Sequence, residues 1–165
     1  GSFALRILVI ICAETANRGA SLSEVAHVAR EIGPQIETYF SVDSLEYLHR
    51  GGRIGKAQVF LGTLMKIKPL LKVMNGEVQP IEKIRTSERL LNRFVELVEL
   101  AVQEHSQLLM AVGESDNAEV MTDLLGRLER IPGISLMFRG KLGGVITSHA
   151  GPGALGIAYV KNVLK

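Results

Sequence analysis

Residues 67–84 have the sequence IKPLLKVMNGEVQPIEKI, and this stretch decides the fold class. Two apolar, strand-like runs, 67–74 and 77–84, flank the dipeptide Asn75-Gly76. Asn-Gly is the pair favoured in the two-residue turn that joins antiparallel strands. The stretch therefore predicts a β-hairpin, and with it an antiparallel part of a sheet.

Downstream of the hairpin, helical and strand-like patterns alternate. Thr86-Ser87-Glu88 is typical of a helix start, and one apolar side continues to about His105. The patterns that follow predict strand 108–112, helix 117–130, strand 134–138 and a glycine-rich stretch 143–156 that runs into apolar residues up to Val160.

Upstream of the hairpin, helices precede one strand. Residues 3–13 are apolar and predict a first helix, and Ser21-Leu22-Ser23-Glu24 is a capping box that opens a second, to about Glu31. The remaining predictions are strand 36–42 and short helices 45–49 and 56–64. Together these elements predict an α+β fold, with a mixed, largely antiparallel sheet covered by helices.

Composition excludes several classes of protein. Of 165 residues, 47% are hydrophobic and 22% charged, which fits one globular domain rather than a disordered chain. The net charge is +2 and aromatic residues are 5%, so nucleic-acid binding is not expected.

Cys12 is the single cysteine, which favours a reducing cytoplasm as the location of the protein. No apolar run is long enough to span a membrane. No metal site or cofactor is expected.

The first helix is apolar almost all round, with Arg6 as the exception within residues 3–13. A helix at the edge of a finished domain normally has one apolar stripe and one polar face. This helix should therefore be covered on several sides. We interpret the chain as the C-terminal portion of a longer protein, although a dimer would cover the same surface.

Residues 47–56, YLHRGGRIGK, form a candidate anion-binding loop. Gly51 and Gly52 expose backbone amides among basic groups, and residues 50–72 contain six Lys or Arg and no acid. Such a loop suits a phosphate or an acidic partner surface. The alternative is a solvated turn with ordinary surface charge.

Residues 147–154, TSHAGPGA, form a second candidate site. The imidazole of His149 can bond a carboxylate, and the nearby glycines allow a ligand to approach the main chain. No Asp or Glu lies within 15 residues of His149, so a catalytic triad is poorly supported. The alternative is a structural turn with an exposed histidine.

The apolar run 59–65 has two interpretations. It is part of the hydrophobic core, or it lines a ligand site, since it lies between the two candidate sites in the sequence.

Four motifs in order resemble those of the DegV family. They are LEYLHRGGRIG at 45–55, IKPL at 67–70, Gly76 followed by KIRT at 83–86, and HAGPGALG at 149–156. The resemblance covers the whole chain and implies a DegV-like C-terminal domain over residues 1–165. Residues 1–33 would be a helical lead-in from the interdomain region, and the family's N-terminal α/β domain would be absent.

This resemblance implies a carrier that is not an enzyme. Members of the family bury one long-chain fatty acid and present its carboxylate to a separate fatty acid kinase, which makes an acyl phosphate for phospholipid synthesis. His149 would contact the carboxylate, beside Gly151 and Gly153. Ser and Thr hydroxyls of the missing domain would complete that contact.

The resemblance also suggests roles for two further sets of residues. The candidates for the wall of the acyl tunnel, each equally suited to be core, are Phe60, Leu61, Leu64, Met65 and Leu70. The candidates for kinase docking or for the transferred phosphate are Arg50, Arg53 and Arg85.

Two alternatives belong to other classes of function. The fold is related to the substrate-binding subunit of dihydroxyacetone kinases, in which a histidine bonds covalently to a small carbonyl compound, and His149 would take that role. The other alternative is a regulatory or nucleic-acid-binding module that uses the basic segment 50–72 and binds more weakly as salt rises.

Overall fold

The hairpin predicted from residues 67–84 is present at one edge of the sheet. The structure, a computed structural model, describes residues 2–62 and 66–164. Strands β2 (Lys68–Met74) and β3 (Glu77–Ile84) pair in antiparallel fashion. Asn75 and Gly76 join them with φ angles of 53° and 79°, the left-handed conformation that this turn requires.

Four further strands complete a six-stranded sheet in the order β3-β2-β1-β6-β4-β5. They are β1 (Glu37–Ser41), β4 (Leu108–Ser115), β5 (Ile134–Lys141) and β6 (Ala154–Lys161). Strands β4 and β5 run parallel, and the other four neighbouring pairs run antiparallel. The predicted α+β class, with a mixed and largely antiparallel sheet, is confirmed.

The α-helices of the described residues are α1 (Ser2–Asn17), α2 (Leu22–Ile32), α3 (Glu46–Arg50), α4 (Ser87–His105), α5 (Ala118–Leu128) and α6 (Gly144–Ala150). The predicted capping box opens α2, since the Glu24 amide donates to Ser21 Oγ and the Ser21 amide donates to Glu24 Oε2. Thr86 caps α4 through the amide of Arg89.

Two segments differ from the sequence predictions. The short helix predicted at 56–64 is a 3₁₀ helix over Gly55–Phe60, and Leu64 lies outside the described residues. Residues 144–150 form α6, which the two glycines at its start concealed in the sequence. Packing of Ile146 and Ala150 against the α3 region stabilises this short helix despite its composition.

One face of the sheet, called the sealed face below, is covered by α4 and α5. Its core contains Phe94 of α4, Leu124 of α5 and large side chains from four strands. Phe94 and Leu124 have no exposed surface. This cluster is the largest apolar core among the described residues, and it stabilises the domain.

The opposite face, called the open face below, is covered by two separate groups of helices. Helix α1 packs through Phe3, Ile7 and Ile11 on β4 and β6. The 3₁₀ helix packs on β3, and α3 and α6 pack on each other and in a cluster with Val42, Leu71 and Ala154. A gap remains between the two groups, above the centre of the sheet.

Candidate functional site

A cavity of about 510 Å³ occupies the gap on the open face. Its floor is formed mainly by β6 and β1, where Ala154, Gly156 and Ala158 present little or no side chain. The apolar residues that form its walls come from α1, α3, α6, the hairpin and the connecting loops: Phe3, Ala4, Leu48, Val73, Val78, Leu142, Val145 and Ile146. This volume and apolar lining are those of a small-molecule site.

His149 and Arg53 are polar side chains in this apolar lining. The chain brings them together from motifs far apart in sequence, since His149 lies in the last turn of α6 and Arg53 follows α3. Among the described residues, Thr38, Tyr39 and Glu77 also line the cavity and carry polar groups. A mainly apolar volume with a few polar groups suits an amphipathic ligand.

The imidazole of His149 is partly buried, and its Nδ1 atom is buried without a hydrogen-bond partner. Buried side-chain polar atoms are normally paired, so this atom needs an explanation. His149 is held in place at the end of α6, where the Gly151 amide donates to Thr147 O over 2.8 Å.

The turn after α3 places Arg53 at the cavity. The Arg53 amide donates to Leu48 O over 2.8 Å, and its Nη1 donates to Gly51 O over 3.3 Å. Gly52 has a φ of +65°, whereas Gly51 has a φ of −77° that any residue can adopt. A Cβ on Gly51 would instead overlap Nδ1 of His149, so the two predicted motifs touch at this point.

Gly151 and Gly153 also lie at close contacts, but not among the residues that line the cavity. A Cβ on Gly151 would overlap the ring of Tyr47, and a Cβ on Gly153 would overlap the carboxylate of Asp43. Their missing side chains therefore let the segment after α6 pack against α3 and the end of β1. In this structure the two glycines shape the support of His149.

The predicted tunnel residues do not line the main cavity. Phe60 and Leu61 line a second, smaller cavity of about 250 Å³ near Asp43 and Lys66. Leu70 is fully buried in the core of the sealed face. Leu64 and Met65 lie outside the described residues.

The sequence identified His149 and Arg53 but not the apolar residues that line the cavity, and one signal indicates where these lie. Along β6, small residues at 154, 156 and 158 alternate with Leu155, Ile157 and Tyr159. Alternate residues of a strand point to opposite faces. Such a strand indicates one packed face and one face with space above it.

The predicted arginines lie at different places. Arg53 lines the cavity, Arg50 is exposed on α3 and forms an ion pair with Glu46, and Arg85 is exposed between β3 and α4. The structure therefore brings Arg53 to His149's cavity and leaves Arg50 and Arg85 on the surface.

Three of the six basic groups in segment 50–72 are paired with acids from outside the segment. The pairs are Arg50 with Glu46, Lys68 with Asp43 and Lys72 with Glu37. Partial burial is the largest single effect on Lys72 and opposes its charge, but the hydrogen bonds and charge interactions with Glu37 and Tyr39 together outweigh it and raise the pKa of the ammonium group. These pairs reduce the field that the basic segment presents to a polyanion.

Within residues 2–62 and 66–164, no three His, Cys, Asp or Glu side chains are grouped as a metal ion would need. In the same ranges, no helix is both long and apolar enough to cross a membrane.

Comparison with known proteins identifies a family. A family model described as "Uncharacterised protein, DegV family" matches residues 1–162. A DegV domain-containing protein of Streptomyces coelicolor is 34% identical over 94% of this chain and 56% of its own length. Protein DegV of Bacillus subtilis is 34% identical over 89% of this chain and 53% of its own. The chain thus spans about half the length of these relatives.

Solved structures give the same result. A DegV family protein of Thermus thermophilus, described as fatty-acid-binding, matches with a TM-score of 0.89 and 27% identity over 96% of this chain and 57% of its own. DegV of Bacillus subtilis, described as a fatty acid binding protein, matches with a TM-score of 0.82 and 31% identity over 96% of this chain and 57% of its own.

Proposed function

The chain belongs to the DegV family, and from this premise we propose that it is the acyl-chain-binding part of a fatty-acid carrier. The observation that carries the proposal is the apolar cavity of about 510 Å³ with a histidine, His149, in its lining. A fatty acid supplies both complements, a hydrocarbon chain for the cavity and a carboxylate for the imidazole.

The hydrocarbon chain provides most of the binding free energy. Each buried methylene is worth about 0.8 kcal/mol, so a 16-carbon chain gains on the order of 10 kcal/mol. The floor of small residues on β6 leaves the space for that chain. Compared with the tunnel candidates Phe60, Leu61 and Leu70, the walls of this cavity are the better supported lining.

The carboxylate needs only orientation and a few hydrogen bonds. His149, which lines the cavity, donates one of these. Gly151 and Gly153 support this arrangement by holding the end of α6 against Tyr47 and Asp43.

We further propose that the chain is the C-terminal half of a two-domain protein, with residues 1–33 as the connection between the halves. Leu5 and Val9 lie on the outer side of α1 and are 62% and 56% exposed. An exposed apolar strip of this kind fits a helix that a second domain covers. That domain would add hydroxyl contacts to the carboxylate.

The partner in this proposal is a cytoplasmic fatty acid kinase, which uses the bound acid to make acyl phosphate for phospholipid synthesis. The chain itself is then not an enzyme. Arg53 at the cavity, with Arg50 and Arg85 on the surface, would contact the kinase or the phosphate being transferred.

Mass spectrometry of an organic extract is the direct test of the carrier proposal. Full-length protein and the 165-residue chain are purified from the same host, extracted, and then titrated with stearic acid. We expect a stoichiometric C14–C20 acid in the full-length extract, and its loss from the chain alone would show that both domains are needed. An empty extract with no uptake of stearic acid would contradict the proposal.

The kinase contact needs a charge-matched test. Arg53→Glu in the full-length protein should keep stearic acid bound and slow its phosphorylation at limiting carrier. Arg130→Glu makes the same charge change at an exposed position after α5 and should not slow the reaction. Equal rates for the two variants would contradict the role of Arg53.

The two alternatives have less support from the geometry. A small polar carbonyl compound would leave most of this apolar cavity unfilled. A nucleic-acid module would rely on a basic segment in which three of six cations are already paired with acids.

A further inference from the structure

The backbone conformation at position 51 does not require a glycine. Its φ of −77° and ψ of −1° lie in the right-handed region, which is open to every L-residue. The adjacent Gly52 is the opposite case, with a φ of +65° and nothing within 4 Å of a Cβ. The need for glycine at position 51 therefore comes from its neighbours.

The neighbour that excludes a side chain at position 51 is His149. A Cβ on Gly51 would overlap Nδ1 of the imidazole and lie 3.0 Å from its Cε1, and it would lie 3.1 Å from Tyr47 O. The Nδ1–Cε1 edge of the ring thus occupies the space beside Cα of Gly51 that a side chain would need. Gly51 is not among the residues that line the cavity, whereas His149 is. Nδ1 is among the buried side-chain atoms without a hydrogen-bond partner, and Nε2 is not.

The burial of Nδ1 against Gly51 also favours one of the two nitrogens as the site of the proton in the neutral imidazole of His149. Nδ1 is buried and has no hydrogen-bond partner. A proton on Nδ1 would be a buried donor without an acceptor, whereas a bare Nδ1 is a buried acceptor without a donor. Buried N–H groups without a partner are the rarer of the two, which favours the proton on Nε2. An Nε2–H group is a donor, as a carboxylate oxygen requires.

We propose that Gly51 is the positioning residue for His149: its missing side chain fixes the ring with Nδ1 against the α3 turn and leaves the Nε2–H as the donor to the carboxylate of the ligand. The orientation of the ring stands on the contacts above, and the carboxylate part rests on the proposed fatty-acid function. A larger residue at position 51 would turn the ring and lose this donor.

The position of the proton can be measured without any ligand. The full-length protein is labelled with ¹⁵N-histidine, and His149→Gln identifies the His149 signals among those of the histidines. The ring should show a protonated Nε2 and an unprotonated Nδ1. In Gly51→Ala this pattern should be lost to the other tautomer or to exchange between them. A wild-type ring protonated on Nδ1, or an unchanged Nε2–H pattern in Gly51→Ala, would overturn the proposal.

Two control variants separate positioning from general effects of a methyl group. Gly126→Ala adds a methyl in α5, where a Cβ meets nothing within 4 Å, and it should leave the tautomer of His149 unchanged. Gly52→Ala strains the same turn at a positive φ without touching the ring, so it should lower the melting temperature and keep the tautomer. If Gly51→Ala does not fold, the tautomer of His149 in the wild-type protein still tests the proposal, because a proton on Nδ1 would overturn it.

The effect of Gly51 on ligand binding is measured as the affinity for stearic acid in a double-mutant cycle with His149. Gly51→Ala should weaken stearate binding about tenfold in the wild-type background and less than about twofold in the His149→Gln background. An equal loss in both backgrounds would show that Gly51 acts elsewhere and would overturn the proposal. A wild-type protein that binds no stearate would remove the proposed function, while the tautomer measurement would still judge the role of Gly51.

Discussion

The two faces of β6 differ in the size of their side chains. Leu155, Ile157 and Tyr159 point to the sealed face and join the main core, whereas Ala154, Gly156 and Ala158 point to the open face and form the floor of the cavity. One strand thus contributes to packing on one side and to empty space on the other. Stability and ligand binding therefore depend on different residues of the same element.

The largest effect on stability is expected from the sealed face. Phe94→Ala removes a fully buried ring and should lower the free energy of unfolding by about 3–5 kcal/mol, measured by urea denaturation. The folded protein should keep its affinity for stearic acid. Leu100→Ala on the exposed side of α4 is the control and should change stability by about 0.5 kcal/mol or less. Loss of binding by folded Phe94→Ala would show that the two faces are not independent.

On the open face, His149→Ala should change binding more than stability. Loss of a hydrogen bond to a charged carboxylate costs about 1.5–3 kcal/mol, so the affinity for stearic acid should fall by about 10- to 100-fold. Isothermal titration of the full-length protein measures this loss. His27→Ala replaces an exposed histidine on α2 and should not alter affinity. Unchanged affinity in His149→Ala would remove the role given to this histidine.

The floor of the cavity offers a closely matched pair of substitutions. Ala158 and Ala111 are cross-strand neighbours on the open face, but only Ala158 lines the cavity. Ala158→Leu should fill space that the acyl chain needs, and stearic acid should bind about tenfold more weakly, with a smaller loss for dodecanoic acid.

Ala111→Leu enlarges a side chain in a packed place instead. It should lower the free energy of unfolding by about 1–3 kcal/mol and leave the preference between the two acids unchanged. Equal changes in acid preference for Ala111→Leu and Ala158→Leu would contradict the assignment of the floor.

The smallest effect concerns the outer surface of the sealed face. Arg127 of α5 binds Glu88 of α4 and Asp123, and its hydrogen bonds hold the pKa values of both carboxyls below their ordinary values of 4.5 and 3.8. Carboxyls with lowered pKa values stabilise the folded state above those ordinary values, and this contribution is lost as the pH falls below them. Urea denaturation at a series of pH values should show a weaker acid dependence for Arg127→Met, and an unchanged dependence would contradict this role. Because these groups are exposed, high salt should reduce the difference.

Local patterns were sufficient to predict most elements of the fold. The Asn75-Gly76 turn, the capping box at Ser21 and the start of α4 depend on neighbouring residues, and the structure confirms all three. Helix α6 was missed because its stability comes from packing on the α3 region, which lies about a hundred residues earlier in the chain.

The site was predicted less completely than the fold. Both glycine-rich motifs were recognised, but their contact between Gly51 and His149 depends on tertiary packing. The tunnel candidates followed an apolar run in the sequence, and hydrophobicity alone does not separate Leu70 in the core from a wall residue such as Ile146. The cavity is defined by small residues, which hydrophobic patterns do not reveal.

The central position of β6 has a consequence for folding. This strand lies between β1 and β4, yet it follows the other five strands in the chain. Until β6 is made, the sheet consists of two unconnected parts, β1–β3 and β4–β5, each with an unpaired edge. Pairings between residues as distant as Phe40 and Gly156 give the fold a high contact order, which slows folding. We therefore expect the last strand to complete the domain and the floor of its cavity in a single late step, so that ligand binding follows closure of the sheet.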